Sequence, residues 1–409
     1  MSCRFIIPFV ILSQILLQKL WGQNLLEDNE KGLSRSIDQF FYQNWTTEQG
    51  LPASALLDVT QTHDGYLWIA SYAGITRFDG VNFTNFNRLN TPQLSDNTIY
   101  HLLQTPDSTL WLATRAKGLV SYKNSIFKVH QNPNWQEEKA INTLFHFYSS
   151  KIWISTNLGE NYLYDYQTNQ FSDVPFEALK TARVYQIKKD QEGYFWIASS
   201  LGNIQKCKNN ECQTIDQKFG LPTTTIETIH LDNQQTFWAG TARGLYYFDK
   251  TKNKFLIYKD LKNYHVRSIY LDLTGNLWVG TFTQTYRIHH KTRALDSLRH
   301  QDIIRVLGFW EDKEGSLWVA SSTNGLFQIK SRNFLNIGMA HGLKFPTPQC
   351  FFQENKNKYW IGGSNGIVQI IENGQLKTVS FKNKLPNSGV FSIQKIKKVI
   401  FGSALIREY

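Results

Sequence analysis

At 409 residues, with 41% hydrophobic and 14% aromatic side chains, the chain has an ordinary globular composition and can bury a large core. Its formal charge of +11 rests on dispersed Lys and Arg rather than on runs, which together with the export reading below argues against a nucleic-acid partner. The densest basic cluster, Lys395-Ile396-Lys397-Lys398, reads as a solvated turn, and an anionic glycan remains an open partner class.

Arg4 precedes an apolar run from Phe5 to Leu17 that ends near Gly22-Gln23. That is the form of a secretory signal peptide over residues 1–23, with an uncleaved membrane anchor as the alternative. Cleavage removes Arg4 and Lys19, lowering the charge from +11 to +9. Cys3 lies ahead of the apolar run and is not placed for lipoprotein attachment. Residues 24–39 are polar and read as a flexible lead-in, and Phe40-Phe41-Tyr42-Gln43-Asn44-Trp45 has the character of an outer β-strand. In a ring of sheets that strand is the natural candidate to complete the last blade.

From there one tryptophan recurs every 40 to 43 residues, at Trp68, Trp111, Trp153, Trp196, Trp238, Trp278, Trp318 and Trp360, with Phe401 in the ninth register. Short β-rich units at this period indicate an all-β fold, a β-propeller with one repeat per four-stranded blade. The seventh repeat shows the anatomy. An alternating strand runs up to Trp310, Asp312 to Gly315 form a turn, Leu317 to Ser321 a second strand, and Asn324-Gly325 a tight turn into a third. Asp recurs six residues before the Trp at Asp190, Asp232, Asp272 and Asp312, and Gly three before it at Gly65, Gly193, Gly275 and Gly315. Gly-Leu-Pro leads into a new blade at Gly50-Leu51-Pro52 and Gly220-Leu221-Pro222. The Trp is read as filling the wedge between blades and the Asp as capping its turn. The spacing differs from the Asp-box of sialidases, which has one residue between Asp and Gly where Asp312-Lys313-Glu314-Gly315 has two.

Cys207 and Cys212 flank the hairpin turn of the fourth repeat and face each other closely enough for a disulfide, which an oxidising compartment would keep. Cys350 reads as a small buried hydrophobe. No metal-ligand spacing is present and no cofactor is expected. His289-His290 are predicted on a strand, where neighbours point to opposite faces.

The stretches Asp64-Gly65-Tyr66-Leu67-Trp68-Ile69-Ala70, Gly275-Asn276-Leu277-Trp278-Val279-Gly280-Thr281 and Thr236-Phe237-Trp238-Ala239-Gly240-Thr241 closely resemble the two-component regulator propeller repeat. Asn44-Trp45-Thr46-Thr47-Glu48-Gln49-Gly50-Leu51-Pro52 resembles the start of that sensor region, so the likeness covers residues 40–409. The resemblance implies a bacterial periplasmic sensor with two seven-bladed propellers. An immunoglobulin-like domain, a transmembrane helix and a kinase, cyclase or DNA-binding output would follow, and several members sense oligosaccharides. On that plan residues 40–340 form a seven-bladed ring and 341–409 the incomplete start of a second, with one eight-bladed ring as the alternative. The chain lacks kinase motifs and a second membrane segment, and its ninth repeat is cut short at Tyr409, so it reads as truncated.

The turns between second and third strands share a face with the blade-to-blade connections, and their variable residues are the candidate ligand contacts. These are Tyr72, Arg115, Lys117, Asn157, Arg243, Phe282, Asn324 and Asn365. Aromatic faces suit sugar rings, and Arg or Asn suit hydroxyls and carboxylates. The expected function is a periplasmic ligand sensor, with an oligosaccharide or other small ligand and a homodimer as partners. An extracellular protein-interaction scaffold is the alternative. A propeller enzyme would need convergent acids or a metal cluster, which the sequence does not supply.

Overall fold

The computed structural model describes residues 40–402 apart from 95, 117, 134, 136–138, 299–301, 332–337, 340, 341, 356, 357, 373, 374, 380–388 and 396–400. The signal and lead-in segments 1–39 with Cys3, the candidate Lys117, the basic pair Lys397-Lys398 and the end of the ninth repeat, 403–409, lie outside the described residues. Two compact units are present, one spanning Lys31–Ser331 and a second that includes Arg332–Tyr409.

The first unit holds seven four-stranded antiparallel sheets. The first blade runs from an inner strand Leu56–Gln61 through Leu67–Ser71 and Gly74–Phe78 to an outer strand Phe83–Phe86, and the next blades repeat that order. The second strand of a blade, such as Leu67–Ser71 or Leu277–Thr281, is buried at every position. Both of its faces are covered by neighbouring blades, so it shows a continuous apolar run rather than alternation.

The recurring Trp fills the wedge to the next blade. Trp68 packs with Ile99, Leu102 and Leu112 of the second blade, Trp153 with Val184 and Ile197 of the fourth, and Trp278 with Val306 and Leu317 of the seventh. Trp318 packs with Leu56, Val59 and Ile69 of the first blade, so the seventh wedge returns to the start and the ring closes with seven blades.

Each of these rings carries one polar atom into a dry wedge, and each finds an acceptor. The indole N–H of Trp196, Trp238, Trp278 and Trp318 donates to the carboxylate six residues upstream, at 2.8, 2.9, 2.8 and 2.6 Å. The other oxygen of that carboxylate caps the turn. Asp272 accepts from the Thr274 and Asn276 amides, and Asp312 from those of Glu314 and Ser316. In the first two blades Thr62 and Thr105 take the acceptor position, each donating its own hydroxyl proton to Asp64 or Asp107. In the third blade Phe147 stands there, the turn is shorter, and Asn161 on the third strand accepts from Trp153 at 2.9 Å.

All seven inner strands carry a register irregularity between their first and third residues. Such a bulge re-aims the third side chain, which can then reach the free edge of the next inner strand. Asp58 accepts from the Leu102 amide at 2.8 Å, Gln186 from the Ile229 amide at 2.7 Å, and Ser268 donates to the Val306 carbonyl at 2.8 Å.

The outer strand of the seventh blade comes from the start of the described chain. Phe40–Trp45 pairs antiparallel with Gly325–Ser331, from Phe40↔Ser331 to Trp45↔Leu326. Phe40 is 1% exposed against Trp278, and Trp45 lies 5.3 Å from Trp318. Gly325 has φ +84°, and a Cβ there would collide with the Trp45 carbonyl, so the closing pair requires glycine at this turn.

In the second unit Pro348–Asn355, Lys358–Gly363, Val368–Glu372 and Gln375–Thr378 form one four-stranded sheet, and Trp360 donates to Glu354 at 2.8 Å. Cys350 is half-buried there.

Three substitutions test the packing and the closure. Asp272→Ala strips acceptors from two turn amides and an indole around a residue only 2% exposed, and is expected to cost roughly 2–4 kcal/mol in urea unfolding. Asp79→Ala, at an exposed turn cap, should leave the midpoint nearly unchanged; equal effects would contradict the role given to the buried acceptor. Phe40→Ala is expected to cost roughly 3–5 kcal/mol and to broaden the transition as the ring opens.

Candidate functional site

One face of the ring is built by two sets of loops that the backbone ties together. The amide of Arg115 donates to the Thr98 carbonyl, Asn157 to Ala140, Ser200 to Arg183 and Ser322 to Arg305, at 2.8–3.1 Å. In each case a turn between second and third strands is fastened to the residue just before its own inner strand. The candidate turns and the blade connections therefore share this face, as the sequence reading expects.

The structure places the individual candidates as follows. Tyr72 is 54% exposed and Arg243 is exposed. Arg115 lies with Nε 3.7 Å from the Asp96 carboxylate. Asn157 is half-buried. Asn324 donates its side-chain amide to the Asp302 carbonyl at 2.9 Å, so it serves the loop itself. Asn365 belongs to the second unit, where it donates to the Lys344 carbonyl. Phe282 alone among them is gathered into a cluster of charged side chains.

That cluster brings in four residues the sequence reading missed. Around the Phe282 ring stand His265 at 4.7 Å between centroids, the Arg267 guanidinium at 5.4 Å and the Arg305 guanidinium at 5.6 Å. Glu227 faces the same group, 3.3 Å from His265 Nε2 and 3.8 Å from Arg267 Nε. Glu227 and Arg267 occupy the second position of adjacent inner strands, and His265 and Arg305 immediately precede theirs. Arg305 has φ +50°, a left-handed backbone for a long side chain, fixed by its amide on the Thr281 carbonyl and its carbonyl under Ser322. The equivalent positions in the first three blades are Ala55 and Leu57, Thr98 and Tyr100, Ala140 and Asn142, so at these positions charge begins with Arg183 of the fourth blade. A signal existed in the residues at strand starts, but nothing in a single repeat distinguishes them from ordinary alternation.

Deeper in the ring, burial governs the titratable groups. It pushes Asp58 up and Lys188 down, and it takes His230 down to about 3, with the Lys188 charge adding to the effect. Ser121, His130 and Tyr164 form a buried chain of hydrogen bonds at 2.8 and 2.6 Å that superficially looks like a nucleophile with its base. Burial takes His130 down to about 4 and Tyr164 up to about 12, and the three lie in the packing between the second and third blades. Glu311, which accepts from the Leu273 amide, is raised by burial to about 7, with Asp272 and Asp312 contributing.

His289 and His290 correct the sequence reading. Their strand ends at Ile288, and in the turn that follows the rings stack at 4.8 Å instead of pointing to opposite faces, because strand alternation no longer applies. Among the described residues no three His, Cys, Asp or Glu are placed to hold a metal ion, and no helix is long and apolar enough to cross a membrane. Cys207 and Cys212 are disulfide-bonded across the hairpin of the fourth blade, with Cα atoms 4.1 Å apart.

A family model described as "Two component regulator propeller" matches residues 93–116, the inner and second strands of the second blade. Histidine kinase P4 of Formosa agariphila is 25% identical over 180 residues, covering 40% of this chain and 13% of that protein. Among solved structures, the extracellular domain described as that of a hybrid two component system of B. thetaiotaomicron aligns with a TM-score of 0.62 at 20% identity, over 89% of this chain and 52% of that one. Virginiamycin B lyase of Staphylococcus aureus aligns with a TM-score of 0.56 at 14% identity, over 71% of this chain and 98% of that one. The chain thus spans about half the length of the extracellular domain it matches and a small part of the kinase. At these identities the solved structures establish the fold.

The buried groups give a pH signature. His130 and His230 take up protons only on unfolding, so stability is expected to fall as pH drops from 6.5 towards 4. Glu311 works in the opposite sense: neutral in the fold, it contributes stability below its unfolded value of 4.5 and loses that contribution as pH rises towards about 7. Glu311→Gln should therefore raise the melting temperature at pH 8 and leave it nearly unchanged at pH 4.5. Scanning calorimetry showing the same change at both would contradict this.

Proposed function

We propose that this chain, a β-propeller carrying the two-component regulator propeller repeat, is the ligand-sensing region of an exported two-component regulator, working in the periplasm and recognising an oligosaccharide. The observation that carries the reading is the contrast between the two parts of each blade. The wedge Trp, its acceptor and the bulged inner strand are nearly the same seven times over, whereas the turns and strand starts on one face differ in every blade. A repeated ring whose loops on one face vary between blades is a frame for presenting recognition residues. The repeat match and the likeness to extracellular domains of two-component systems support the same assignment. Signal output would lie in segments outside this sequence, and a homodimer is the proposed signalling partner state.

A second reading, a protein-interaction scaffold, draws on one specific feature. Tyr72, Leu158 and Leu201 at the second-to-third turns are 54%, 80% and 49% exposed on that same face. Large apolar side chains at loop tips suit a protein surface as well as they suit sugar rings.

The purified chain should separate the two in a thermal-shift screen against neutral and acidic oligosaccharides. A ligand present at about 100 times its Kd stabilises by about 2.7 kcal/mol, enough for a shift of several degrees. No shift with any glycan, together with capture of a defined protein partner lost in Leu158→Asp, would replace the sensor reading by the scaffold one.

A further inference from the structure

We propose that Glu227, His265, Arg267, Phe282 and Arg305 form a binding site for the acidic group of a glycan, a carboxylate or a sulfate ester, on the loop-bearing face across the fifth, sixth and seventh blades. This deepens, and rests on, the oligosaccharide-sensing reading above.

The first support is an imbalance of charge. Two guanidinium groups and His265 gather at the Phe282 ring, and one carboxylate, Glu227, pairs with His265 and Arg267. The second is unused donor capacity. Neither Arg267 nor Arg305 donates a side-chain hydrogen bond to a described residue, and among the described residues the one carboxylate within 4 Å of either guanidinium is Glu227, 3.8 Å from Arg267 Nε and beyond hydrogen-bond distance. Guanidinium forks match the planar pair of oxygens of a carboxylate and two oxygens of a sulfate, and charge-assisted bonds of this kind are the strong ones. Both forks stand beside the same Phe282 ring, at 5.4 and 5.6 Å from its centroid. Glu227 keeps acceptor oxygens for the hydroxyls next to the acidic group. A neutral sugar alone would leave the excess positive charge unmatched.

The third support is the backbone of Arg305. A left-handed φ of +50° disfavours a long side chain, and glycine would adopt it freely. The ring needs no side chain at this turn, since the bonds that fix it, to Thr281 and Ser322, use the Arg305 backbone amide and carbonyl. The Arg305 side chain takes no part in fixing the loop that carries it.

Arg305→Gly makes the test, because it relieves the backbone while removing the guanidinium. By isothermal titration, the purified chain is exposed to oligogalacturonates and to sulfated carrageenan oligosaccharides. Each series is paired with its carboxyl-reduced or desulfated counterpart. One acidic series is expected to bind at least 10-fold more tightly than its neutral counterpart, more weakly as salt rises from 50 to 500 mM, and the series that binds identifies the anion. Arg305→Gly and Arg267→Ala should each weaken that binding about 10- to 100-fold, with Arg305→Lys intermediate. The melting temperature of Arg305→Gly should be unchanged or higher, which a merely structural arginine would not give. Equal binding of acidic and neutral forms, or wild-type affinity in Arg305→Gly, would overturn the anion site and leave the glycan-sensing reading standing. No binding anywhere in the acidic and neutral panels would overturn both.

Discussion

The fold depends on giving one N–H group an acceptor in a place without water. Seven blades must be wedged apart by something large, flat and apolar, and indole is the largest side chain available. It brings a single donor, and a buried unpaired donor costs about as much as the ring gains from a few methylenes. The solution recurs around the ring: the acceptor comes from the turn that starts the strand bearing the Trp. Where it is Asp, one oxygen serves the indole and the other holds the turn, so local turn chemistry and inter-blade packing are specified by one residue. Where it is Thr, the hydroxyl relays between indole and a nearby Asp. The third blade, with Phe147 at the acceptor position, recruits Asn161 from the next strand.

Because this framework is satisfied internally, the face that carries the connections is free to vary. The two layers meet at the first residues of the inner strands. There the carbonyl of a residue such as Arg305 fastens a turn while its side chain stands out on the face. The bond that fastens the turn uses the backbone alone, so the side chain can change from Ala55 to Arg183 to Arg305 with the ring unchanged.

The framework was legible in the sequence because it repeats. Eight copies of the Trp register outweigh the noise of any one segment, and the Asp six residues upstream, the Gly turns and the closing strand Phe40–Trp45 could be read with it. The indole acceptor was visible as a conserved offset, though read only as a turn cap; that Thr62, Thr105 and Glu354 take the same offset is the clue that the position needs an acceptor rather than an acid. The recognition face was harder to read for the opposite reason. Its residues do not repeat, and their neighbours come from other blades: Glu227 and His265 are 38 positions apart in sequence and 3.3 Å apart in space. Phe282 was singled out because it sits in a turn, whereas Arg267 was hidden inside a strand pattern. His289-His290 was misread because the strand ends at Ile288, two residues earlier than the reading required.

The closing strand also sets a clock. Phe40–Trp45 is made first, and its partner Gly325–Ser331 roughly 280 residues later, which at ~5–20 residues per second is on the order of 15–60 s of synthesis. Through that interval an aromatic strand with two open edges has no place in its own molecule. The slot it fits exists in any other copy that has finished its seventh blade, so exchange between copies competes with closure until the chain is complete.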